Sequence, residues 1–194
     1  MDEDDTLVDR LIAGDPYAEA EVSERRMIPL TLRQKVRFAS AILALSGLLA
    51  PLIAVQTTFI TEVEPTTQAN PYRLSIGSFA FYGVVTVFIV SLFLLGLRQK
   101  VIHEVESASA ARKIIRVEDI AAWFLLLGTA AIVISLIFAV VGIVTPETIA
   151  TLTEQRIRPY RPAATPIGDV RLSSLSGAIG ALVIVVLDRL QERQ

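Results

Sequence analysis

Three stretches of the chain, 38–61, 74–97 and 120–145, carry no charged side chain over 24, 24 and 26 residues. An α-helix rises ~1.5 Å per residue, and a bilayer's hydrocarbon core, ~30 Å thick, takes roughly 20 residues to cross. Each stretch is therefore long enough to span a membrane with some tilt. Burial in a soluble helical bundle is the competing reading, but helices of that kind keep a polar face and these stretches have none.

Composition agrees. Of 194 residues, 53% are hydrophobic and 20% charged, with a mean hydropathy of +0.56, which leaves too little polar surface for a soluble domain. The formal net charge of −2 selects no partner, and nucleic acid is not expected as one. There is no cysteine, which excludes disulfides, thiolate metal sites and cysteine nucleophiles.

A fourth apolar run, 172–187, has only 16 uncharged residues, about 24 Å of helix. Arg171 at its start can raise its guanidinium to the headgroups, and a bilayer thins locally at modest cost. Small residues recur along it at helical spacing: Ser173, Gly177 and Ala181 in one row, Ser176 and Gly180 in the next. Such rows let helices approach closely in lipid. The run is read as a fourth span that relies on packing, against the alternative of a half-inserted interfacial helix. The expected fold class is all-α: a polytopic integral membrane protein with four transmembrane helices.

Lysine and arginine accumulate in cytoplasmic loops. Arg25, Arg26, Arg33, Lys35 and Arg37 precede the first span, and Arg98, Lys100, Arg112, Lys113 and Arg116 lie between the second and third. Arg189 and Arg193 follow the last. Against them stand Arg73 in the first connection and Arg156, Arg158, Arg161 and Arg171 in the third. The bias predicts both termini inside (N-in/C-in). The organisation is then an acidic cytoplasmic tail (1–31), a first span with its flanks (32–61), a short outer loop (62–73), a second span (74–97) and a cytoplasmic helical hairpin (98–119). A third span (120–145), a proline-rich outer loop (146–171), a fourth span (172–188) and a cytoplasmic end (189–194) complete it. The tail carries nine acids in its first 24 residues and Arg10 as the one base, unlike the basic start of a cleavable signal peptide. Thr6 as cap and Gly14 as close suit one short amphipathic helix within it, and Asp15 as cap with Pro16 at the first helical position suits the start of a second; a solvated acidic tail is the alternative.

Thr31 and Gln34 have the spacing of a capping box at the start of the first span. Within it, Pro51 lacks the N–H that would bond to Gly47, so a kink is expected between Gly47 and Pro51; a static kink that serves packing is preferred over a hinge. The third loop holds Pro159, Pro162 and Pro166, which favour extended chain over a long helix.

Residues for chemistry are scarce. Acidic, basic or histidine side chains within a span mark proton and ion paths; the first three runs contain none, and Asp188 stands at the edge of the fourth. No phosphate-binding glycine loop or hydrolase motif occurs. His103, the single histidine, has Glu104 and Glu106 as neighbours, but these would point different ways on a helix. No catalytic, cofactor or metal residue is expected. The polar side chains in the spans, notably Gln56, Thr57 and Thr86, are candidate pore-lining groups, though such groups more often bond to their own or a neighbouring helix. Trp123 suits an interfacial aromatic belt. Arg156, Arg158, Tyr160 and Arg161 form a small basic and aromatic cluster in the third loop.

The expected function is non-enzymatic: a structural, scaffold or assembly subunit in a cell membrane, or in the membrane of a virion or vesicle. Its partners would be the lipid bilayer and further membrane proteins in a homo- or hetero-oligomer. The alternative is a small oligomeric channel or transporter subunit.

Overall fold

The structure, a computed structural model, describes residues 30–104 and 107–191 together with isolated positions on either side. The expected helices of the acidic tail lie largely outside the described residues. Those that are described form an all-helical bundle, with no strand beyond two isolated bridges. The helices are α1 (Leu32–Ser46), α2 (Leu49–Val55), α3 (Thr57–Val63), α4 (Ser75–Glu104), α5 (Ala108–Val144), α6 (Pro146–Glu154) and α7 (Val170–Gln191). Four segments are long and apolar enough to cross a membrane: Leu32–Val55, Ser75–Val101, Ser109–Val144 and Val170–Gln191.

The first segment starts as its sequence dictates. The Thr31 hydroxyl accepts from the Gln34 N–H at 3.3 Å, and the Gln34 side chain accepts from the Thr31 N–H at 3.1 Å. The helix then breaks at Gly47 and Leu48, just before Pro51. There the chain tightens: Gly47 N–H bonds to Ala44 and Leu48 N–H to Leu45, each at 3.0 Å and three residues back. The break frees the Ala50 N–H, and the Ser174 hydroxyl of α7 accepts it at 2.8 Å. A neighbouring helix thus satisfies a backbone group released by a proline.

α4 and α5, of 30 and 37 residues, are longer than a ~30 Å hydrocarbon layer requires. They run antiparallel with only 105–107 between them, so the expected hairpin at 98–119 consists mainly of their extensions. They pack on each other more extensively than any other pair of helices. They cross tightly at Gly83 and Gly128. A Cβ on Gly83 would lie 2.8 Å from the Gly128 carbonyl oxygen, and one on Gly128 would lie 3.0 Å from that of Gly83. α7 fits against both α1 and α4.

α7 is longer than the uncharged run that signals it. Its 22 residues extend from Val170 past Asp188, about 33 Å of helix. Arg98 of α4 matches the Asp188 charge at 2.5 Å, so Asp188 is carried inside the bundle rather than marking the helix end.

The end of the bundle that carries α3, α6 and the long connections is called here the loop end, and the opposite end the basal end. At the loop end, residues 72–76 lie between two pieces of the proline-rich connection. Leu74 N–H bonds to Gly168, Ser75 N–H to Arg161 and Ile76 N–H to Pro159, while Ala163 N–H returns to Arg73 and Val170 N–H to Tyr72. The Arg73 guanidinium adds bonds to the Thr165 and Ala164 carbonyls at 3.0 and 3.1 Å. This connection is thus folded onto the bundle. Its first part is helical because Pro146 takes the first helical position, where a missing N–H costs nothing, with Glu147 in the positive first turn. Of the later prolines, Pro159 and Pro162 fall in irregular chain and Pro166 opens a 3-10 turn, Pro166–Gly168.

Buried apolar residues form two clusters, one including Leu43, Val87, Leu94, Leu125 and Ile184, the other Ile53, Ile60, Ala80, Ile149 and Tyr160. The outward faces are also apolar: Ile89, Phe93, Trp123, Leu127, Ile137, Ile179 and Leu182 are all exposed. A surface of that kind suits a hydrocarbon solvent rather than water.

Candidate functional site

The polar side chains within the bundle form three internal locks. The first is at the basal end. Lys35, in the first turns of α1, places its ammonium 2.6 Å from the Glu118 carboxylate of α5, with the two side chains 0% and 1% exposed. The second, Arg98 with Asp188, joins α4 to α7, and the Gln191 amide donates to the Leu95 carbonyl at 3.3 Å beside it. All four ionic partners lie outside the first three uncharged runs, so they sit at the margin of the apolar zone, where a charge costs less than at its centre.

The third lock closes the loop end. Tyr160, from the proline-rich connection, turns inward and is 1% exposed. Its hydroxyl donates to the Phe138 carbonyl at 2.7 Å and meets the Gln56 amide oxygen at 3.2 Å. Its ring packs edge-on against Phe59, with centroids 6.5 Å apart. Gly142 makes room, since a Cβ there would collide with both the Gln56 amide and the Tyr160 hydroxyl. Burial pushes the phenol up to about 12, with the Gln56 hydrogen bond acting in the opposite sense.

The small-residue face of α7 meets α1 and α4. The Ser173 hydroxyl, fully buried, donates to the Gly77 carbonyl at 2.8 Å. A Cβ on Gly177 would run into the Ser46 hydroxyl and lie 2.8 Å from the Leu43 carbonyl oxygen. One on Gly180 would lie 3.2 Å from the Phe88 ring. Ala181 is buried, whereas Ser176 is only partly covered. Spacing alone did not single out Ser174, because its role depends on the break in α1 opposite.

The pore candidates do not converge. Gln56 is buried against Tyr160. Thr57 donates back to Ala54 at 3.4 Å and Thr86 to Tyr82 at 2.8 Å, and none of the three bonds to another. The basic and aromatic cluster is likewise divided: Tyr160 points in, while Arg156, Arg158 and Arg161 are exposed, with the Arg158 Nε 3.8 Å from Glu64. His103 lies in α4, and its side chain is outside the described residues. Among the described residues, no three His, Asp or Glu side chains gather as a metal site requires.

The Lys35–Glu118 pair and the Gly83–Gly128 crossing are functional or structural features that the sequence pattern did not single out. Lys35 reads as one more base before a span and Glu118 as an acid near a helix start; only their proximity in space reveals a pair. No protein-family model matches the chain, and no curated protein or solved structure is significantly similar to it.

Proposed function

We propose that the chain is a non-enzymatic multi-pass membrane protein with both termini in the cytoplasm, acting as a structural, scaffold or assembly subunit. The observation that carries this reading is where its polar groups are used. Lys35, Glu118, Arg98 and Asp188 pair with one another, and Gln56 with Tyr160, within one chain. These side chains hold one arrangement of helices, and the surfaces left for partners are the apolar belt and the arginine-bearing loop end. The orientation rests on the lysine and arginine bias.

Crosslinking in native membranes followed by native electrophoresis tests the subunit role. A discrete homo- or hetero-oligomer is expected; a strictly monomeric, partnerless species overturns it. Selective ion flux through liposomes carrying the pure protein, lost in Gln56→Ala, would favour a channel instead. The absence of cysteine makes sidedness simple to read. Single cysteines at the exposed positions Gln68 or Ala164 should react with an impermeant maleimide from outside intact cells, and one at Ser109 should not.

A further inference from the structure

At the basal end α5 starts well outside the apolar run that it carries. From Ala108 to Asp119 it adds about 18 Å of helix ahead of Ile120. Three bases lie on this extension, Arg112, Lys113 and Arg116, and all three are exposed. None of them makes an ion pair or hydrogen bond with a described residue. We propose that they form a stripe that binds the anionic headgroups of the lipid leaflet at the basal end. The inference rests on the membrane reading above.

Direction is the first argument. With ~3.6 residues to a turn, Arg112, Arg116, Ile120, Trp123 and Leu127 share one side of α5, and Lys113 flanks it. Within the apolar run that side faces outward, with Ile120 58%, Trp123 56% and Leu127 62% exposed. The opposite side is packed, and Ile114, Ile115, Glu118 and Leu125 are buried there. The bases therefore continue the face that α5 turns to the acyl chains, and what lies directly beyond acyl chains is headgroups. A soluble acidic partner supplies no reason for that alignment. Depth is the second. Along the axis Arg116 stands about 6 Å and Arg112 about 12 Å beyond Ile120, while the headgroup layer adds roughly 5–7 Å to each side of the hydrocarbon core. Arg116 thus lies within that layer, and Lys113 and Arg112 reach it with their long side chains. Trp123 sits at the interfacial level that its ring favours. Charge is the third. Glu118 is turned inward to Lys35. Asp119, at the edge of the stripe, is partly covered and pairs with none of the three bases. Three positive charges against one negative remain, and a guanidinium matches a phosphate with two parallel hydrogen bonds. A zwitterionic headgroup would bring its own cation against them, so the anionic class is selected.

The chain has a single tryptophan, and it stands on the stripe, so its fluorescence reports the lipids that touch this face. The test reconstitutes the full chain in phosphatidylcholine vesicles in which a minority lipid, either phosphatidylglycerol or phosphatidylcholine, carries brominated acyl chains that quench tryptophan. Wild type should be quenched more strongly by the brominated phosphatidylglycerol. The preference should fall by up to about fivefold for each base replaced in the series Arg112→Gln, Lys113→Gln and Arg116→Gln. Arg112→Lys with Arg116→Lys keeps the charge and should keep the preference. Arg156→Gln, Arg158→Gln and Arg161→Gln together remove as much charge from the loop end and should leave the quenching of Trp123 as in wild type. Equal quenching of wild type by the two lipids, an undiminished preference in the triple α5 variant, or an equal loss in the loop-end variant overturns the stripe. A preference abolished by millimolar phosphate, and not by chloride at the same ionic strength, overturns it in favour of a soluble anion. Binding of polyglutamate by a wild type without lipid preference overturns it in favour of an acidic protein. Flotation separates the two levels. A chain that floats with neither vesicle overturns the membrane reading and the stripe with it; a chain that floats and is quenched equally overturns the stripe alone.

Discussion

Lys35 and Glu118 are 83 residues apart in sequence, yet their charged groups meet at 2.6 Å with both side chains closed off from solvent. Lys35 sits on the helix that opens the bundle and Glu118 on the long α5, so the contact joins two segments that the chain visits far apart. Such a pair fixes which helices are neighbours more than it adds net stability, because desolvation of two charges offsets much of their attraction.

Removing one partner should therefore be severe and removing both mild. Lys35→Met or Glu118→Leu alone is expected to destabilise the bundle, by about 3–5 kcal/mol for Glu118→Leu, which leaves the buried Lys35 ammonium without the carboxylate it meets at 2.6 Å. The double variant is expected to fall near wild type. Reversible unfolding followed by circular dichroism as denaturing detergent is titrated in measures all three; a double variant as unstable as the singles would contradict the account.

Gly177 is set by contact. Any Cβ there meets the Ser46 hydroxyl and the Leu43 carbonyl oxygen at 2.8 Å. Gly177→Ala should cost about 1–3 kcal/mol through overpacking, and Ser46→Gly in the same chain should recover part of it by clearing the nearer obstacle. The same unfolding measurement reads both, with Ser176→Ala, at a partly covered position, as the tolerant control.

Tyr160 gives the bundle an alkaline limit. Its pKa is about 12 when folded, against an ordinary value of 10.0. The folded state holds the phenolic proton more tightly than the unfolded chain, so this contribution is complete below pH 10 and is lost as pH rises through 12. The loss amounts to roughly 3 kcal/mol at most. Phenolate absorbance should show one late-titrating tyrosine that disappears in Tyr160→Phe. That variant should also lose about 1 kcal/mol at neutral pH with its hydrogen bond to Phe138, and with it the extra alkaline sensitivity.

Arg156 follows the end of α6 with φ at 69°. It holds the place after a helix where glycine is usual, with Ile157 N–H bonding back to Leu152 at 2.9 Å. Arg156→Gly should stabilise the loop end by up to about 1 kcal/mol, whereas Arg156→Val should destabilise it, since a β-branched side chain fits that backbone poorly. Equal stability of the glycine and valine variants would show that the conformation costs nothing here.

The four apolar segments, the capping box at Thr31 and Gln34, the break before Pro51 and the small-residue face of α7 are all legible in the sequence. Each arises from interactions within a few residues along the chain, or from a length of chain with one chemical character, and such features repeat at the helical period. The meeting of Lys35 with Glu118, of Arg98 with Asp188 and of Tyr160 with Gln56 belongs to the tertiary structure alone. So do the Gly83–Gly128 crossing and the use of Ser174 to satisfy Ala50. Those contacts depend on which helix lies beside which and at what height, and no local periodicity carries that information. The sequence determined four rods of apolar surface and the capped start of the first, while α4, α5 and α7 extend beyond the uncharged runs that signal them. Packing decided which polar groups face inward, because a buried charge or hydroxyl is tolerated only where a partner from a distant part of the chain arrives to meet it.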